Sequence, residues 1–230
     1  MKRVALVVGV GPGLGKAIAR RFAREGFQVA LVARTPEFIG QLARELSSAG
    51  ERAGAFVADV SQPKQVIEMI ATVRAELGPI SVLVHNASSS SGDGLLGTSA
   101  EQFEEAWRIA ALGAFLCARE TAPDMIASGT GTMIFTGATS SVRGGGWLAF
   151  SSAKFALRGL AQSLARELWP QGIHVAHVIV DGLIGAQKDS AEPMLHPDRM
   201  ADAYFQLAEQ DRSAWTLELD LRPHREKFFE

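Results

Sequence analysis

Val4-Ala5-Leu6-Val7-Val8-Gly9-Val10-Gly11-Pro12-Gly13-Leu14-Gly15-Lys16 is the stretch that decides the fold. Its five leading apolar residues, without polar alternation, read as a strand buried on both faces. The glycines at 9, 11, 13 and 15 permit positive φ and let backbone come close to a ligand. Beyond them Leu14, Ala17, Ile18 and Phe22 form one helical stripe that stops at Gly26. A strand feeding a helix in this way offers the helix N-terminus, with free N–H groups and a positive dipole end, to an anion such as a pyrophosphate. The spacing is G-x-x-x-G-x-G through Gly9, Gly13 and Gly15, and the absence of a following Gly-Lys-Ser/Thr excludes a P-loop. A tight turn without a ligand is the alternative reading.

Working outward, apolar runs and helical stripes alternate to the end of the chain. Strands are predicted at 28–33, 53–57, 80–84, 132–136, 173–180 and 215–219. Thr35-Pro36 supplies an N-cap and a first-turn proline for a helix bearing Phe38, Ile39, Leu42 and Leu46. Ser61 is expected to cap the next helix, and Ser99 with Gln102 forms a capping box that opens a long one to about residue 127. Further helices are expected at about 148–168 and 197–209, and a Ser- and Gly-rich loop at 88–98. Strand–helix alternation at this spacing means an α/β fold, a doubly wound parallel sheet with helices on both faces. With no linker and no repeat, residues 1–230 are expected to form one domain. Such sheets bind ligands past the carboxyl ends of their strands, at the switch point of strand order.

Composition narrows the classes. The 230 residues are 47% hydrophobic and 21% charged, with a net charge of −2, which fits one sizeable core and excludes disordered and collagen-like chains. No apolar run reaches the roughly 18 residues of a membrane span. Dispersed charge gives no footprint for nucleic acid or an acidic membrane surface. The lone Cys117 cannot form an internal disulfide and suits a reducing, cytoplasmic setting. Met1-Lys2-Arg3 and the apolar run after it have the look of a signal peptide, yet the run stops at Gly9, so mature protein is expected. No metal-spaced cluster and no G-x-S-x-G elbow occur, so neither a metal site nor a hydrolase triad is expected.

The residues just after each strand are the candidates for binding. The second strand ends Leu31-Val32-Ala33-Arg34, and an arginine with no carboxylate beside it can pair with a 2′-phosphate, favouring NADP(H) over NAD(H). A solvated strand-end arginine is the bland alternative. Asp59-Val60 could accept from an adenine amino group, although on residue type alone a turn aspartate is the stronger reading.

Taken together, the chain resembles the short-chain dehydrogenase/reductase family. The resemblance rests on the Gly9/Gly13/Gly15 spacing, Asp59-Val60, Asn86-Ala87, Pro123-Asp124-Met125, Ala153-Lys154 and Asp181-Gly182. It implies a Rossmann fold with a seven-stranded sheet, and a homodimer or homotetramer joined through the two long helices and the final strand. It implies cofactor contacts from Gly9, Gly11, Gly13, Leu14, Gly15, Arg34, Asp59, Val60, Asn86, Ala87, Lys154 and Gly182, and a substrate lid at about 183–210. Lys154 would hold the nicotinamide ribose; a helix lysine pointing to water is the alternative.

At the catalytic positions the chain departs from that family. The tyrosine expected four residues before the lysine is Phe150, the serine falls on Gly137 or Ala138, and the water-holding asparagine on Ala110. Phenylalanine keeps the shape of tyrosine without its proton, and losing a positioned acid costs ~10²–10⁴-fold in rate. Nearby hydroxyls, Thr136, Thr139, Ser140, Ser141, Ser151 and Ser152, are too weakly acidic to replace a phenol unaided. His85 titrates in the right range, but a strand-end histidine is more often a packed one. Trp147, Leu148, Phe150 and Met194 suggest an apolar pocket wall, Tyr204 falls in the lid region, and Asp181 is read as a turn or helix cap. The implied function is an NAD(P)(H)-dependent oxidoreductase of an unidentified small carbonyl or alcohol with a non-standard proton donor. The alternative is a cofactor-binding protein with little or no catalysis, serving as a sensor or partner.

Overall fold

The computed structural model describes residues 3–90, 92–185 and 194–226. β1 (Val4–Val8) is an interior strand and is buried along its whole length. It pairs with β2 (Gln28–Ala33) on one side and β4 (Ile80–His85) on the other. β3 (Ala53–Val57) forms one edge, while β5 (Gly131–Thr136), β6 (Ile173–Val180) and β9 (Glu218–Leu221) extend the other. The order is β3-β2-β1-β4-β5-β6-β9, and every pairing is parallel.

Burial on both faces explains the unbroken apolar strands. Val4, Leu6 and Val8 point into one core, shared with α3 (Pro63–Leu77), α6 (Gly113–Ser128) and α7 (Leu148–Leu168). Ala5 and Val7 point into the other, under α1 (Leu14–Arg24), α2 (Pro36–Ser48) and α8 (Pro197–Ala208). Strand order reverses between β1 and β4, so the carboxyl ends of these strands bound a crevice, as the switch-point rule requires.

Several local expectations change. α3 is capped by Gln62, not Ser61, because Pro63 takes the first helical position and Ser61 donates its backbone N–H to Asp59 Oδ1. Thr35 does stand at the N-cap of α2, but its side chain makes no capping bond. The Ser99–Gln102 capping box forms and starts α5 (Ala100–Trp107), yet a π-helical turn, Arg108–Leu112, interrupts the long helix before α6. A short helix, α4 (Gly94–Gly97), lies in the loop before it. The last strand begins three residues later than expected, since Trp215 instead stacks on His174, with centroids 5.1 Å apart and rings 8° from parallel. In the expected lid region, β7 (Leu183–Ile184) pairs with β8 (Met194–Leu195); residues 186–193 lie outside the described set. Among the described residues no helix is long and apolar enough to cross a membrane.

Asp124 ties α6 to the start of β4. It accepts from Arg74 Nε at 3.0 and 2.9 Å and from the backbone N–H of Ile80 at 3.0 Å. Asp124→Ala strands the donors it serves, and urea unfolding is expected to show a loss of about 1.5–3 kcal/mol.

Candidate functional site: a dinucleotide-sized cleft

Two adjoining crevices, of about 350 and 610 Å³, share Gly9, Gly11, Asn86 and Ser88 and so form one cleft over the carboxyl ends of the sheet. The smaller arm runs past Ala58, Val60, Ala87 and Ile109 to Arg34. The larger runs past Gly13, Leu14 and Gly15 to Lys154, Phe150 and Gly182.

The glycines divide into two kinds. Gly9 has φ +86°, and a Cβ there would stand 2.5 Å from the backbone N of Ala87; at Gly15 it would stand 2.5 Å from the carbonyl of Gly9. These two serve close backbone packing, and the side chain of Asn86 secures it by donating to Gly9 O at 3.0 Å. At Gly11 and Gly13 a Cβ would meet nothing within 4 Å. Their open faces border the cleft, beside an α1 N-terminus that lacks both a side-chain cap and an acidic residue in its first turn. A helix end left in that condition suits a phosphate, so the residues present fit a dinucleotide.

The far ends of the cleft are ionic. Arg34 is two-thirds exposed, and the sequence offers no carboxylate beside it, but the fold does: Glu105 on α5 lies 3.8 Å away. Lys154 is 2% exposed, not solvated, and donates to Thr136 O at 2.7 Å. Burial draws its amine down to about 8. Its Nζ sits 5.4 Å from the Phe150 ring centroid, and Phe150 meets Trp147 edge to face. With Leu183 and Ile184 these rings make the apolar wall; Leu148 and Met194, expected there, do not line it.

Other candidates fall elsewhere. Asp59 does not line the cleft, because its carboxylate is engaged by the Ser61 turn. Tyr204 is fully buried beneath β5, its hydroxyl 2.9 Å from Thr136 Oγ1, and burial pushes its ionisation further up. Asp181 is neither a simple turn residue nor a cap: it accepts from Thr139 Oγ1 and pairs with Arg222 across to the residue after β9. His85 is fully buried, and burial, with the nearby Lys154 charge, lowers it to about 3, so it stays neutral near pH 7.

A family model described as short chain dehydrogenase matches residues 3–190. The chain belongs to that family. A short-chain dehydrogenase/reductase of Armillaria gallica is 38% identical over 178 residues, covering 75% of this chain and 68% of that one. The solved structure of a short-chain dehydrogenase from Rhodopseudomonas palustris, 38% identical, has a TM-score of 0.86 over 96% of this chain and 99% of that one. That of an alcohol dehydrogenase from the archaeon Thermococcus sibiricus, complexed with 5-hydroxy-NADP, is 26% identical with a TM-score of 0.90 over 100% of both chains. Short-chain dehydrogenases are oxidoreductases that bind NAD(P), and this chain is one by fold and by sequence.

Two of the positions where the resemblance leads one to expect a catalytic side chain, 137 and 110, are closely packed in this short-chain dehydrogenase. A Cβ on Gly137 would stand 2.2 Å from Nε2 of His177, so imidazole fills the space of a serine side chain. Ala110 belongs to a cluster of alanines, with Ala106, Ala149 and Ala153, where α5 and the π turn meet α7. Sequence reasoning missed His177 and Glu105, which act across 40 and 71 residues; the Asp181-Gly182 departure was the only local hint of the Arg222 pair.

Gly137→Ser is therefore expected to lose ~1–3 kcal/mol from overpacking, recovered when His177→Ala is added, whereas Phe150→Tyr, facing the cleft, keeps wild-type stability; urea midpoints check all three. A second expectation concerns Lys154. Its amine is held near 8 when folded against 10.5 ordinarily, so between those values the unfolded chain binds the extra proton and stability rises with pH. Wild type should thus gain stability relative to Lys154→Met as pH rises from about 8 to about 10, and parallel pH curves would refute this.

Proposed function

We propose that the protein is an oxidoreductase that takes NADP(H) in preference to NAD(H) and acts on a small carbonyl or alcohol. The observation that carries the reading is the order of groups along one cleft. An exposed guanidinium stands at one end, an uncapped helix N-terminus with two open-faced glycines in the middle, and a buried ammonium at the other. That order matches a 2′-phosphate, a pyrophosphate and a nicotinamide ribose. The cofactor, when bound, supplies the hydride. The chain supplies the rest: Gly11, Gly13 and the start of α1 hold phosphate, Arg34 adds charge, Lys154 binds ribose hydroxyls, and Val60 and Ala87 wall the adenine end. Trp147, Phe150, Leu183 and Ile184 give the substrate an apolar wall. Position 150 has no proton to give, so the proton donor lies elsewhere. The alternative without turnover gains nothing from the relatives, whose names are those of a short-chain dehydrogenase/reductase and an oxidoreductase.

Nicotinamide fluorescence tests the reading directly. Arg34→Ala is expected to weaken NADPH about 5- to 10-fold and to leave NADH within about twofold. Glu105→Gln, which frees Arg34 from its carboxylate neighbour, is expected to tighten NADPH about 2- to 5-fold. No saturable signal with either cofactor up to millimolar concentration would overturn the reading.

We also infer a contact with a second copy of the chain, through the helices that the resemblance implicates. Phe103, Trp107, Phe115 and Phe155, on α5, α6 and α7, are each about two-fifths exposed, more than scattered surface residues require. We place the contact of a homodimer or homotetramer on this face. Light scattering should show an oligomer for wild type and a monomer for Trp107→Glu combined with Phe155→Glu; a wild-type monomer removes this part of the reading.

A further inference from the structure

One carboxylate joins three parts of the chain at the Lys154 end of the cleft. Asp181, the residue after β6, pairs with Arg222, which follows β9, and the two side chains are only 12% and 10% exposed. The backbone N–H of Asp181 donates to Leu221 O at 3.0 Å, so main chain fixes the position as well. The next residue, Gly182, has φ +140°, and a Cβ there would stand 2.8 Å from the ring of Pro223. The carboxylate is thus held from behind by the chain beyond β9. Its Oδ1 accepts the hydroxyl proton of Thr139, from the loop after β5.

That contact decides what Thr139 can offer a ligand. A threonine hydroxyl has one proton and two lone pairs, and an ionised carboxylate only accepts. With its proton committed to Asp181, the Thr139 oxygen has only lone pairs left to present. Among the described residues no second group bonds it, and Thr139 lines the larger arm of the cleft together with Trp147, Phe150, Leu183 and Ile184. The hydroxyls of Ser88, Ser90 and Ser140 in the same arm can rotate to serve a donor or an acceptor; that of Thr139 cannot. A fixed acceptor beside an apolar wall leaves a ligand oxygen that also only accepts without a partner. A site of that kind rejects the analogue lacking the hydroxyl more strongly than an apolar pocket rejects a missing methylene.

We propose that Asp181 makes Thr139 a selective acceptor for a substrate hydroxyl, so that the cleft takes an apolar alcohol in preference to the ketone of the same skeleton. Thr139 touches the ligand, and Asp181 is a positioning residue that acts through it. A carboxylate ligand is disfavoured at this point for the same reason as a ketone, since it has no proton to donate. An ammonium could donate, but the charge of Lys154 in the same arm opposes it. The apolar part of the alcohol covers Trp147 and Leu183, which line the arm and are 62% and 55% exposed. That the ligand is a substrate rests on the oxidoreductase reading above; the hydroxyl preference is a property of the chain and is measured without cofactor.

The probes are 1-cyclohexylethanol and cyclohexyl methyl ketone, which share a skeleton and differ in whether the oxygen carries a proton. Their dissociation constants are read by ligand-observed NMR on the full chain. Wild type is expected to bind the alcohol about fivefold tighter or more. Thr139→Ser keeps that ratio, whereas Thr139→Val and Asp181→Asn bring the two probes within about twofold of each other. An asparagine can donate to Thr139 and so free its hydroxyl proton for the ketone, a change in the ratio that a merely structural Asp181 would not produce. Trp147→Ala weakens both probes alike, which places them in this arm. Equal or reversed affinities in wild type, no binding of either probe up to its solubility, a preference that survives Thr139→Val, or indifference to Trp147→Ala would overturn the proposal. Should Asp181→Asn fail to fold, Thr139→Val against Thr139→Ser decides alone. A failure here leaves NADPH binding untouched, and a failure of NADPH to bind leaves the measured preference standing.

Discussion

The close approach of β1 and β4 at the glycine loop is the constraint on which the cleft depends. Gly9 can turn left-handed with its α-carbon against Ala87 only because it has no side chain, and Asn86 then locks the loop through the Gly9 carbonyl. With the strands pinned this close, α1 must start directly over their ends, and its free N–H groups face the cleft. The Gly15–Gly9 contact fixes the helix from the other side. Any residue with a Cβ at Gly9 would push the loop off β4 and take the uncapped end of α1 with it. The placing of Arg34, Val60 and Lys154 along the cleft is set relative to that fixed point.

The far end of the cleft follows a different logic. Its floor is closely packed, by imidazole against Gly137 and by alanines around Ala110. Close-packed interiors transmit such changes, because a side chain can be restored only if its neighbours give way. The site is thus a differently packed one, and its remaining ammonium lies among two neutral histidines and an aromatic ring instead of beside a phenol. Asp181, held by Thr139 and Arg222, ties the loop after β5 to the chain beyond β9 and braces the same end of the cleft.

Elements whose signal is local read correctly from the residues. The apolar runs of β1 and β6, the Ser99–Gln102 capping box and the proline starts of α2 and α8 each involve neighbours within a few positions. Where two local signals competed, as at Ser61 and Pro63, the stiffer one prevailed. The π turn at Arg108–Leu112 and the late start of β9 answer to packing partners elsewhere in the chain, and nothing in their own residues announces them.

The sequence by itself determined the parallel sheet, the glycine loop and which residues stand at positions 110, 137 and 150, since strand periodicity, glycine spacing and residue identity are properties of the chain in order. Only the tertiary structure decided that Gly11 and Gly13 have open space where a side chain would stand while Gly9 and Gly15 are pressed against backbone, that Arg34 has Glu105 beside it, and that His177 stands in for a side chain at Gly137. Those outcomes depend on which atoms come within a few ångströms across separations of 40 residues or more, and parallel strands joined by helices bring together groups that no local pattern connects.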